Sequence, residues 1–140
     1  MRLHGRVREV DALAERVGLA ATGRGQVVFV EGEAGIGKSR LVSEAVAAAK
    51  DRGFAVFQAR CEELERHRPF GTLADALGCQ RRAADPARAA IGRLLVADAG
   101  EAAAGLGLRF RAVEEFVELV EQLALAQPAM VVLEDLHWAD

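Results

Sequence analysis

The chain has 140 residues, 51% hydrophobic and 28% charged, the make-up of one soluble globular domain with no room for a second. A formal net charge of -3 excludes a general attraction to nucleic acid or an anionic membrane, and Arg66, His67 and Arg68 with Arg81 and Arg82 are too thin a cluster for a footprint. The two cysteines, Cys61 and Cys79, lack metal-ligand spacing, imply no disulfide scaffold and read as reduced thiols of a cytoplasmic protein.

Met1 to Arg6 lacks the apolar stretch of a secretory signal, and no later run is long enough to span a bilayer. From Val7 to Ala21, Val10, Leu13, Ala14 and Val17 recur at helical spacing with Glu9, Asp11, Glu15 and Arg16 opposite, which predicts an amphipathic helix. Gly23 and Gly25 break that pattern. Gln26 to Val30 then reads as a buried strand, because a short continuous Val-rich run suits a parallel sheet covered on both faces.

The next segment carries the chemistry. Gly32, Glu33, Ala34, Gly35, Ile36, Gly37, Lys38 and Ser39 fit G-x-x-x-x-G-K-[ST], the Walker A template of a phosphate-binding loop (P-loop). Glycines let the backbone curl around a polyphosphate and aim N–H donors at it, while Lys38 supplies a mobile cation. Ser39 to Ala49 follows with Leu41, Val42, Ala45, Val46 and Ala49 at helical spacing, so the pattern is strand, loop, helix. A helix starting at the phosphates adds free N–H groups and the positive end of its dipole. The bland alternative is a glycine-rich turn that happens to contain Lys-Ser.

Asp51 to Gly53 makes a turn, and Phe54 to Ala59 a second strand; with the first it would form a right-handed parallel strand–helix–strand unit. Cys61 to Arg68 is charged and irregular, Pro69 ends it, and Thr72 to Leu77 starts a short helix. Within the Ala- and Arg-rich stretch from Gln80 to Gly107, Asp85-Pro86 reads as an N-cap and first helical residue of a helix carrying Ile91, Leu94 and Leu95. Gly105 and Gly107 close that region. A long helix then presents Phe110, Val113, Phe116, Val117, Val120, Leu123 and Ala124 as one stripe, with Glu114, Glu115, Glu118 and Glu121 facing away. Pro128 ends it, and Ala129 to Leu133 forms a third apolar strand.

That strand is tipped by Glu134 and Asp135, the pattern of a Walker B acid pair. Mg²⁺ needs hard oxygens, and an acid at a parallel strand's tip can share it with a loop hydroxyl and the β- and γ-phosphates. Glu134 suits the metal and Asp135 the attacking water, but successive strand side chains point to opposite faces, so the pattern leaves open which acid does which. His137 reads as a packing and hydrogen-bonding residue rather than a general base, Trp138 as packing, and Asp140 as a residue that caps or orients the loop.

Leu3-His4-Gly5-Arg6, the run from Gly32 to Val42 and the run from Leu133 to Asp140 together resemble the N-terminal ATPase domain of LuxR-type large ATP-binding transcriptional regulators. Similar domains accompany some cyclase and kinase modules; all are signal-transducing relatives of the AAA+ ATPases. The resemblance implies an α/β fold, the P-loop three-layer α-β-α with a parallel sheet. It implies that Lys38 holds the β- and γ-phosphates of ATP, within a cradle reaching from Gly32 to Arg40. It also implies that Ser39 and Glu134 hold Mg²⁺, that Asp135 orients the hydrolytic water, and that Gly5 and Arg6 lie near the adenine. Val7 stands where the family usually has an acid. ATP would favour self-association and slow hydrolysis would reset it, with no direct nucleic-acid contact from this segment.

In that family the sensor strand, the lid and a DNA-binding domain follow the position of Asp140, so the chain reads as the N-terminal part, 1–140, of one P-loop ATPase domain. A sheet short of a central strand predicts marginal stability, weak ATP binding and poor hydrolysis. The alternative reading is a truncated inactive fragment or a structural or interaction piece. A small-molecule phosphotransferase is a third, for which no acceptor pocket or lid segment stands out.

Overall fold

The computed structural model describes residues 6–61, 70–98 and 105–136. The chain forms two compact units, residues 1–56 and 57–140.

The first unit is built on two helices. α1 (Val7–Ala21) matches the amphipathic segment, with Val17 fully inside and Val10, Leu13 and Ala14 half-buried. α2 (Lys38–Asp51) packs on it through Leu41, Ala45, Val46 and Ala49, the spacing that puts one face of a helix inward. Arg52 and Gly53 stop α2, and Phe54 is drawn in beneath it by a 3.1 Å hydrogen bond from its N–H to the Ala49 carbonyl.

The expected strand from Gln26 to Val30 is corrected by the structure. The segment pairs with no strand among the described residues, and Val27 and Phe29 stand 83% and 76% exposed. A strand is held by its neighbour's ladder rather than by its own propensity, so a Val-rich run with no partner stays irregular. Gln26 is tied locally instead: its Nε2 donates to the Arg24 and Gly25 carbonyls, and Arg16 donates to its Oε1. The strand–helix–strand unit expected from that segment is therefore absent among the described residues.

The second unit holds the sheet. β1 (Ala55–Arg60), which begins at the unit boundary, and β2 (Ala129–Glu134) form a two-stranded parallel sheet, and the Cys61 N–H extends the ladder to the Glu134 carbonyl at 2.9 Å. α3 (Gly71–Leu77), α4 (Pro86–Asp98) and α5 (Gly105–Ala126) lie between the strands in sequence. Asp85 caps α4 as expected, its carboxylate accepting from the Arg88 N–H at 3.0 Å. The core gathers Ala74, Leu77, Cys79, Ile91, Phe116 and Leu119. Leu77 and Ile91 are fully enclosed, each stabilising by roughly 1.5–3 kcal/mol relative to exposure. Phe70 tilts against Phe116 with ring centroids 6.0 Å apart, and the Arg88 guanidinium lies 5.9 Å over the Phe57 ring.

α5 differs from expectation in two ways. Gly105 and Gly107 do not close the preceding region but form the helix's first turn. Its buried face runs through Ala112, Phe116 and Leu119, while Phe110, Val113, Val117 and Ala124 of the expected stripe are exposed. The helix is apolar over a wider arc than its neighbours cover, so periodicity alone placed the inward direction about one residue off.

Candidate functional site: a glycine-rich loop and an acid-tipped strand

In the first unit, residues 31–37 form a loop, exposed from 31 to 36, that turns through residues 34–37 into α2. Gly37 sits at the helix N-cap with φ 95°, a left-handed conformation that a side chain would strain, and its carbonyl accepts from the Leu41 N–H at 3.1 Å. Gly37 has no side chain to cap α2, so the helix's first-turn N–H groups are not satisfied in the way side-chain-capped helices satisfy theirs. Lys38 folds back over the loop: its Nζ donates to the Gly32 carbonyl at 2.7 Å and to the Glu33 carbonyl at 2.9 Å. An ammonium therefore hangs over exposed backbone at the positive end of a 14-residue helix, an arrangement that attracts anions.

The remaining loop residues, Glu33, Ala34, Gly35 and Ile36, are exposed with Gly32, and Ser39 and Arg40 are exposed on the first turn of α2. Arg6 is the N-cap of α1, its carbonyl accepting from the Val10 N–H. Gly5, and His137, Trp138 and Asp140 at the other end, lie outside the described residues.

In the second unit, β2 ends at Glu134 and the backbone turns sharply: Asp135 adopts φ 58°, a left-handed conformation costing a non-glycine residue about 1–2 kcal/mol. The turn matters because alternation along a continuing strand would send the two carboxylates to opposite faces. Both are instead addressed by one guanidinium. Arg60 NH2 lies 3.3 Å from Glu134 Oε2, and Arg60 Nε lies 3.4 Å from Asp135 Oδ2. Gln58 Nε2 donates to Glu134 Oε1 at 2.8 Å. Arg60 is 58% exposed whereas Glu134 is 14% exposed, so the pair is a surface ion pair worth at most about 1 kcal/mol.

Arg60 and Gln58 were not among the residues singled out from sequence. The signal was present, since residues two apart on a strand share a face and these are the two exposed polar residues of an otherwise apolar strand. Behind them, Cys61 Sγ meets Thr72 Oγ1 at 2.7 Å in a buried contact that ties the end of β1 to α3.

The donor set fits a hard divalent cation in part. Among the described residues no group of three or more His, Cys, Asp or Glu converges, so a metal at the acid pair would depend on other oxygens, such as phosphate and water, for its remaining ligands. No curated protein and no solved structure matches the chain. A family described as an AAA ATPase domain matches residues 2–140, nearly the whole sequence, and its members' nucleotide binding accords with the loop geometry. On that match the chain belongs to the AAA ATPase domain family.

Proposed function

We propose that the chain is the Mg-ATP-binding switch module of a LuxR-type transcriptional regulator or related signalling protein, the N-terminal part of one P-loop ATPase domain with a three-layer α-β-α plan. The observation that carries the reading is the loop itself: a left-handed Gly37 delivering Lys38 and an uncapped α2 N-terminus to one exposed anion-attracting surface. In this reading Lys38 holds the β- and γ-phosphates, and backbone N–H groups from Gly32 to Arg40 line the cradle. Ser39 and Glu134 hold Mg²⁺, which supplies charge neutralisation when bound, and Asp135 orients the hydrolytic water. Gly5 and Arg6 serve the adenine. Nucleotide-dependent self-association, slow turnover in the complete protein and a cytoplasmic location complete the proposal; among the described residues no helix is long and apolar enough to cross a membrane.

Titration calorimetry of the whole chain with MgATP and with MgGTP tests it. Saturable heat with MgATP, weaker with MgGTP, is the expected result; no heat with either ends the proposal.

A second reading, an interaction or structural piece with no nucleotide turnover, is favoured by one observation, the exposed apolar run at Val27 and Phe29. Under it, replacing Lys38 leaves the chain's behaviour unchanged.

A further inference from the structure

We propose that Arg60 is a charge latch on the carboxylates at the end of β2, holding Glu134 and Asp135 in a cation-satisfied state that a divalent metal must break before binding there. The inference deepens the preceding reading and rests on the acid pair being the metal side of a nucleotide site.

The geometry is that of a stand-in cation. One guanidinium reaches both carboxylates, 3.3 Å from Glu134 Oε2 and 3.4 Å from Asp135 Oδ2, and the left-handed turn at Asp135 brings the second acid within its span. A metal taking either oxygen competes with the arginine, because the two positive charges repel across the shared carboxylates.

The grip is also of the right strength to release. Both ion-pair distances are longer than a tight charge-assisted bond, and the guanidinium is more than half exposed, so water and salt already compete for it. Mg²⁺ or Mn²⁺ carries twice the charge and approaches carboxylate oxygens far more closely, at about 2.1 Å for Mg²⁺. Competing ions open the latch: a cation for the acids, or a phosphate oxygen for the guanidinium, whose fork it matches.

Gln58 plays a different part. It is neutral, and its 2.8 Å bond to Glu134 Oε1 orients that carboxylate without opposing a metal's charge. It is a positioning residue, and losing it does not tighten metal binding.

The experiment is a Mn²⁺ titration of the nucleotide-free chain at low ionic strength, followed by electron paramagnetic resonance, on the wild type, Arg60→Ala, Arg60→Gln, Gln58→Ala and Arg60→Ala/Glu134→Gln. Far-UV circular dichroism checks that each variant is folded, and the Gln variant retains a polar side chain if Ala perturbs the strand. Removing the competing charge is expected to tighten Mn²⁺ binding by about threefold to tenfold in both single Arg60 variants. The gain should be absent in Gln58→Ala and lost in the double variant. Unchanged or weaker binding in both Arg60 variants overturns the latch, as does a gain that survives Glu134→Gln. Calorimetry of the wild type with MgATP judges the nucleotide reading separately. ATP binding with unaltered Mn²⁺ affinity sinks the latch alone, whereas a Mn²⁺ gain without ATP binding sinks the nucleotide reading and leaves a latched divalent-cation site.

Discussion

Lys38 donates to the Gly32 carbonyl at 2.7 Å, so the cation at the base of the loop is held by the loop's own backbone. Binding a triphosphate must exchange this bond, and the companion bond to Glu33, for charge-assisted contacts to phosphate oxygens, which are stronger. Lys38→Ala is therefore expected to weaken MgATP binding by about 1.5–3 kcal/mol, roughly tenfold to over a hundredfold. Lys38→Arg is expected to fail as well, because a planar fork does not replace a compact ammonium among carbonyls. Calorimetry of both variants beside the wild type checks this.

Two glycines separate backbone strain from steric clash. A Cβ at Gly37 meets nothing within 4 Å, but φ 95° is strained for any side chain, so Gly37→Ala should cost about 1–2 kcal/mol with no repacking. At Gly92, inside α4, a Cβ falls 2.4 Å from the Gln80 carbonyl carbon and 2.5 Å from the Arg81 nitrogen, so backbone has to move. Gly92→Ala should cost about 1–3 kcal/mol or more, through loss of the α4 contact with residues 80–81. Urea melts of the two variants measure both, and only Gly37→Ala should also weaken MgATP binding.

Exposure along the chain makes the opposite prediction for two phenylalanines of equal size. Phe29 is 76% exposed in a segment without a strand partner among the described residues, so Phe29→Ser should change stability by no more than about 0.5 kcal/mol. Phe116 is 4% exposed against Phe70 and the core, so Phe116→Ala should cost about 3–5 kcal/mol. Equal losses in the two variants, by denaturant melt, would contradict the unpaired state of residues 26–30.

Phe29 and Phe116 also mark what could be read from sequence and what could not. Local signals were dependable where local physics decides: the α1 limits, the Asp85-Pro86 start of α4 and the strand before Glu134 follow from periodicity, a cap and a proline stop. Residues 26–30 failed because a strand is a property of two segments, and no local feature reveals whether the second is there to pair. The α5 face was misplaced for a related reason, since Phe110 and Val117 are as apolar as Phe116 and only the neighbours select among them. At the acid pair, the pattern named Glu134 and Asp135 but gave no hint of the left-handed turn that brings both to Arg60.

Cys79 ties stability to alkaline pH. Burial pushes its thiol up to about 11, Arg88 lowers it in part, and Asp85 raises it slightly. An unfolded cysteine titrates near about 8.5, so between there and the folded value the unfolded chain gives up a proton that the folded chain keeps. Deprotonation then favours unfolding: this group costs nothing below about pH 8, and stability falls progressively toward pH 11, by an amount on the order of 2 kcal/mol. Urea midpoints taken from pH 7 to 10.5 should decline, and Cys79→Ala should flatten part of that decline while lowering stability at every pH through the lost core contact. The same shift leaves only about one thiol in a thousand as thiolate at pH 8, so iodoacetamide should label Cys79 at a rate set by unfolding rather than by surface chemistry. Peptide mapping that finds Cys79 alkylated as fast as a free thiol under native conditions would show that the core around Leu77 and Ile91 opens far more readily than its packing implies.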